Sequence, residues 1–194
     1  MDRGSDEDAE NVRRADRRRR HPAVSGLSDV AERQTELSEA SPVSIRLVES
    51  ADDIDAVAPL FDAYRVFYKA PSDIEGARAF LLERWRLRES ALFVAFDGDT
   101  AIGFVQLYPL FLSVGMRRFW LLNDLYVHPG SRRSGVGRQL MQRAERHARE
   151  TGAAGLTLST ALDNKTAQAL YESEGYERDG RFCVYNKSFD GNGV

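Results

Sequence analysis

Val127-His128-Pro129-Gly130-Ser131-Arg132-Arg133-Ser134-Gly135-Val136-Gly137-Arg138 is the stretch on which the reading of this chain turns. Before it, Arg117 to Val127 reads as a long strand, broken by His128-Pro129-Gly130. After it, Val136, Leu140, Met141, Ala144 and Ala148 recur at helical spacing from Ser134 until Gly152. The first turn of a helix leaves backbone N–H groups without partners, and with the helix dipole they favour an anion. Gly135 and Gly137 carry no side chain to keep a phosphate off the backbone. Arg132, Arg133 and Arg138 add positive charge, so a diphosphate is a natural ligand. A P-loop would need Lys-Ser or Lys-Thr where Arg138-Gln139 stands, and the Gly-x-Gly-x-x-Gly of a dinucleotide loop is absent. On these residues alone, a plain strand-to-helix turn with glycines for tight packing fits as well.

Working towards the N-terminus, Ala91 to Phe96 and Ala101 to Tyr108 form a hairpin across Asp97-Gly98-Asp99, followed by a loop containing Pro109 and Gly115. Apolar residues from Ile54 to Tyr68 have helical spacing. Pro71 interrupts them, and Ser72-Asp73-Ile74-Glu75 has the form of a capping box for a second helix running to about Arg88. Ser44 to Val48 alternates as a half-buried strand does. Towards the C-terminus come a short strand at Leu156 to Ser159, a helix carrying Ala167, Leu170 and Tyr171 and capped by Asp163 or Asn164, and a last strand at Phe182 to Phe189. Antiparallel pairing with one strand-helix-strand crossover makes the class α+β.

The chain has 194 residues and a net charge of -3, which argues against general nucleic-acid binding. Residues 1–42 mix acids, arginines, Ser, Gly and Pro, with few large apolar residues. They read as a disordered charged tail, in which Asp2, Asp6, Glu7, Asp8 and Glu10 largely cancel the Arg17 to Arg20 tetrad. Residues 43–190 are the expected domain and 191–194 a short tail. The single Cys183 excludes an intramolecular disulfide framework and a multi-cysteine zinc site; its apolar run, Phe182 to Tyr185, predicts a buried thiol. No apolar run is long enough to span a bilayer and no secretory signal is visible, so the expectation is a cytoplasmic protein with no membrane partner. Nothing resembles a metal site, and His128 and His147 read as half-buried structural residues.

Arg132-Arg133-Ser134-Gly135-Val136-Gly137 resembles the [Gln/Arg]-x-x-Gly-x-[Gly/Ala] signature of the GCN5-related N-acetyltransferase (GNAT) superfamily. Asn164-Lys165-Thr166-Ala167-Gln168-Ala169-Leu170-Tyr171-Glu172-Ser173-Glu174-Gly175-Tyr176 is similar to its Asn-x-x-Ala-x-x-Leu-Tyr-x-x-x-Gly-[Phe/Tyr] segment. The two lie at the usual separation, with a helix and a strand between. The resemblance covers about Ser44 to Phe189. It implies a mixed, mostly antiparallel twisted sheet of six to seven strands flanked by about four helices, and acetyl-CoA as co-substrate with no metal. Leu122 to Val127 resembles the matching strand of diamine acetyltransferases. Phe67-Tyr68 before Pro71-Ser72-Asp73 resembles bacterial and fungal relatives that act on small amines, amino acids or histone tails. The implied acceptor is a small amine, an amino terminus or a lysine, and dimers are common among look-alikes.

By that resemblance, the backbone of Arg132, Arg133, Ser134, Gly135, Val136, Gly137 and Arg138 holds the CoA pyrophosphate. The strand through Leu125, Tyr126 and Val127 pairs with the pantetheine arm, and the Leu125 N–H faces the thioester oxygen as an oxyanion donor. Asn164 bonds the end of the pantetheine, caps its helix, or does both. Tyr171 is the general acid for the leaving thiolate; packing on its amphipathic helix is the alternative role. An amine of pKa ~10.4 is only about 0.04% neutral at pH 7, a penalty of roughly 4.6 kcal/mol, so a carboxylate in the cleft would help. Asp124 is the candidate, as base or amine anchor or as a structural hydrogen-bonder. Diamine acetyltransferases have an acid where this chain has Asn123, so their two-acid arrangement does not carry over. Tyr64, Phe67, Tyr68 and Trp120 are read as pocket wall or core. A CoA-sensing or interaction module on the same fold, and an enzyme using another acyl-CoA, are the competing functions.

Overall fold

The computed structural model describes residues 42–189. The expected charged tail with its arginine tetrad, and residues 191–194, lie outside the described residues. The elements run β1 (Ser44–Leu47), α1 (Ala51–Phe67), α2 (Ile74–Arg86), β2 (Ala91–Asp97), β3 (Thr100–Leu112), β4 (Arg117–Val127), a one-turn 3-10 helix (Pro129–Ser131), α3 (Val136–Glu150), β5 (Leu156–Leu158) and α4 (Lys165–Ser173).

One sheet holds the strands in the order β1-β2-β3-β4-β5. β1 to β4 are antiparallel neighbours, and β5 joins β4 in parallel through Trp120 to Leu122 against Leu156 to Leu158. The sheet therefore has five strands among the described residues, not six to seven. The expected last strand accounts for the shortfall. Residues 182–189 adopt no strand, and Phe182, Val184, Tyr185 and Phe189 are exposed. Cys183 among them is exposed too, not a buried thiol. The run has strand composition but joins no strand of the sheet among the described residues, and composition alone does not make a strand.

The sheet separates two cores. On one side Phe93, Val105, Leu107 and Leu122 meet α3 through Leu140, Met141, Ala144 and Ala148; on the other Phe104, Val94 and Tyr126 meet α1 and α2 through Ile54, Val57, Phe61 and Leu81. Each fully buried large apolar side chain contributes about 1.5–3 kcal/mol. Truncating Leu140, wholly buried at the centre of α3, to alanine would cost about 2–5 kcal/mol.

Local chemistry sets the helix ends. The capping box belongs to α1: the Ser50 side chain accepts from Asp53 N–H while the Asp53 carboxylate accepts from Ser50 N–H. α2 is capped by Asp73, accepting from Gly76 N–H, with no box at Ser72. Ser72 instead donates to Asp62, 2.6 Å away, and Asp73 N–H donates to the same carboxylate at 2.8 Å. Those bonds and Arg65 fix the α1–α2 connection. Pro109 does not end β3. It lies opposite Trp120, and the strand continues to Leu112. Gly152 and Gly175, at φ 68 and 85, close α3 and α4 in the left-handed conformation expected of C-terminal glycines. No helix among the described residues is long and apolar enough to cross a membrane.

Candidate active site

β4 decides the geometry. Leu107 pairs with Leu122 and Gln106 with Asp124, so Asn123 is an extra residue, a bulge. Before it, Trp120 and Leu122 face the α3 core; after it, Tyr126 faces the α1–α2 core, with Asp124 beside it. Asp124 is thereby placed beneath Tyr64 of α1 instead of beneath α3.

Beyond the bulge, β4 loses its second neighbour, because β5 pairs only as far as Leu122. The ladder with β3 then fixes which backbone groups are free. Val127 lies opposite Gly103, and His128 N–H donates to Ile102 C=O. In antiparallel pairing this makes Val127 a non-hydrogen-bonded pair, so its own N–H and C=O point away from β3, and Leu125, two residues earlier, shares that phase. Both residues present their backbone to the opening between β4 and β5. The Arg132 guanidinium folds back to donate to Val127 C=O at 3.0 Å and lies over the Tyr126 ring.

The turn itself forms a cradle of backbone donors. Arg132 N–H reaches Pro129 C=O, and the next backbone donor with a carbonyl partner is Gln139, bonded to Gly135. From Arg133 through Arg138 no N–H donates to a backbone carbonyl among the described residues. Arg133 and Gly135 both have positive φ, 66° and 86°, which turns successive donors towards a common concavity. A Cβ at Gly137 would sit in ordinary contact with Leu170 and Val127, at 3.5 and 3.8 Å, so the packing of α3 on α4 and β4 does not itself demand a glycine there. Arg138 does not point freely at the turn, because it pairs with Glu174.

Asn164 is the N-cap of α4: its Oδ1 accepts from Ala167 N–H at 3.2 Å. Tyr171, one helical stretch later, packs its ring against the α3 core and 6.3 Å from Tyr176. Its phenol meets Thr160, just after β5, and lies within electrostatic reach of Tyr68 and Tyr64. Burial, with Tyr68 adding to it, raises the Tyr171 pKa. Tyr171 is therefore protonated at neutral pH, as a proton donor must be.

Asp124 is buried, and burial raises its pKa. Hydrogen bonds from Asn123 Nδ2, at 3.1 Å, and from the Tyr64 hydroxyl pull the other way. Tyr64, Tyr68, Asp124 and Tyr171 thus converge from α1, β4 and α4. The sequence named each of them but not the Tyr64–Asp124 bond, and gave no sign of the bulge that makes it. His128 accepts from Gly130 N–H and shapes the turn, while His147 is packed between Phe93 and Trp120. Among the described residues no group of His, Cys, Asp and Glu could hold a metal ion. A cavity of about 760 Å³ lies beside β5, walled by Leu156 to Thr160, Tyr171, Tyr176 and Phe182. Neither the free β4 backbone nor the cradle borders it, so volume alone does not mark the site.

Residues 57–176 match the model of the acetyltransferase (GNAT) family. The chain belongs to that family. An uncharacterized N-acetyltransferase of Bacillus subtilis, YhfO, is 45% identical over 143 residues, which are 74% of this chain and 95% of that protein. A probable acetyltransferase of Haemophilus influenzae is 32% identical over 140 residues, 70% of this chain and 92% of that one. The crystal structure of a probable acetyltransferase, 40% identical, superposes with a TM-score of 0.71 over 76% of this chain and 99% of its own. This GNAT-family chain is an acyltransferase of the N-acetyltransferase type. Acetyl-CoA is the family's co-substrate.

Proposed function

We propose that residues 43–190 transfer the acetyl group of acetyl-CoA to a primary amine by direct attack within a ternary complex. The observation that carries the reading is the run of unpaired backbone donors, Leu125 and Val127 on β4 and Arg133 to Arg138 in the cradle, facing a gap that β5 leaves open. The cradle suits the two linked phosphates of CoA, with Arg132 beside it. The β4 edge suits the amide-bearing pantetheine arm, running from the Asn164 cap towards Tyr171. An acetyl-CoA so bound is something this chain would hold chiefly by its backbone.

The residues then divide the chemistry. Leu125 N–H stabilises the negative charge that develops on the thioester oxygen. Asp124 anchors the ammonium and takes its proton, and its raised pKa makes it a better base than an exposed carboxylate. The amine nitrogen attacks the acetyl carbon, the C–S bond breaks, the thiolate takes a proton from Tyr171, and the second proton shed by the nitrogen as the amide forms restores the tyrosine. No side chain is acylated on the way.

Thiol release from acetyl-CoA across an amine panel tests the transfer, and the intact mass of the protein after acetyl-CoA alone tests the direct attack. Thiol release should require an amine, with the protein mass unchanged. An acetylated protein would replace direct attack with a covalent route. Tight acetyl-CoA binding with no release on any amine would favour a sensing module, and faster release from a longer acyl-CoA would reassign the donor.

A further inference from the structure

Three aspartates are buried among the described residues: Asp53, Asp62 and Asp124. Asp53 is ion-paired with Arg46, and Asp62 with Arg65. Asp124 is bonded by Asn123 and Tyr64, and no lysine or arginine acts on it. A buried carboxylate with donors but no cation is electrostatically incomplete. A ligand ammonium would complete it.

The surroundings are aromatic. Tyr64 makes edge contacts with Tyr68 and Tyr126, at 5.1 and 6.3 Å between ring centroids, and Tyr68 meets Phe67 at 5.2 Å. Phe67 and Tyr68 are about half exposed, so they form a rim open to solvent. Such faces attract an ammonium and bury an apolar body at once. A second unpaired negative charge is missing among the described residues: Asp124 is the carboxylate acting on Tyr64, the strand neighbour Asn123 is neutral, and Glu89, which with Asp124 acts on Tyr108, is already paired with Arg84.

From this arrangement we infer that the acceptor is a singly charged primary amine on an aromatic or apolar body, held by the Asp124 carboxylate and the tyrosine rim. The inference rests on the acetyl-transfer reading above. A polyamine would have to strip water from a second ammonium with no unpaired anion among the described residues to receive it.

The full chain, acetyl-CoA and thiol release are compared for phenethylamine, putrescine and spermidine. The expected kcat/KM for phenethylamine exceeds the other two by about tenfold or more, the scale of one desolvated cation–π contact with its aromatic packing. Tyr68→Leu, at a half-exposed position that folding tolerates, should raise KM for phenethylamine about tenfold and leave kcat and the KM for acetyl-CoA nearly unchanged. Preference for putrescine or spermidine overturns the acceptor class but leaves acetyl transfer standing. An unaltered phenethylamine KM in Tyr68→Leu overturns the role of the rim. Release with none of the amines, acetyl-CoA being bound, removes the transfer reading itself and this one with it.

Discussion

Arg138, in the first turn of α3, is paired with Glu174 at the end of α4, and Ser173 Oγ accepts a second bond from its guanidinium at 3.1 Å. The helix that opens the cradle and the helix that carries Tyr171 are thus fastened to each other. Arg138 is about half exposed and Glu174 is not, so solvent screens the pair. Arg138→Ala should lose only about 1 kcal/mol of stability in urea. The loss should shrink in high salt. A larger, salt-independent loss would show that the link is not mainly ionic.

Gly135 has φ 86°, a conformation that side chains with a Cβ adopt at a penalty of about 1–2 kcal/mol. Gly135→Val should distort the cradle and weaken acetyl-CoA binding by at least tenfold by titration calorimetry, about 1.4 kcal/mol. Undiminished affinity would mean that the cradle does not hold the cofactor.

Tyr171→Phe keeps the ring packed against the α3 core and removes only the hydroxyl. General-acid catalysis contributes about 10²–10⁴-fold, so kcat should fall by at least about 10²-fold. The affinity for acetyl-CoA should stay as it was. Equal kcat in variant and parent would return Tyr171 to a packing role.

Asp124 should also be visible in the pH dependence of stability. Burial raises its folded pKa above the unfolded value, so the folded state binds the extra proton. Stability from this group is complete below the unfolded pKa and is lost as pH rises through the folded one. Asp124→Asn should therefore melt higher than the parent at neutral pH, by about 2–4 °C for each 1 kcal/mol recovered. The gap should close in acid, while acetyl transfer falls. A lower melting point at neutral pH would mean that the ionised carboxylate is a structural asset.

Most of the fold is legible because periodicity and punctuation agree. The stripe of α3, the glycines at 152 and 175, and the Asn164 cap each state a boundary in local chemistry, and the helices end where these residues stand. The last strand shows where this fails. Phe182 to Phe189 has strand composition, but a strand exists only with a neighbour to complete its ladder, and composition says nothing of neighbours. Pro109 misleads in the opposite direction. A missing N–H suggests a break, yet β3 runs through it beside Trp120. Within the site, the tight turn into α3 could be read from Gly135, which has φ 86°. The Tyr64–Asp124 contact could not, since it depends on which side of the sheet residue 124 occupies.

That side is set by Asn123 alone. Even-numbered positions of β4 point one way before this residue and the other way after it, so the bulge acts as a parity switch for everything downstream. Removing Asn123 would leave every later residue chemically intact and exchange their destinations. A carboxylate would be driven towards the aliphatic underside of α3, and Leu125 would be turned towards the tyrosines. The position of Asp124 is thus encoded partly in the arithmetic of a strand, where a single inserted residue decides which of the two cores each later side chain joins.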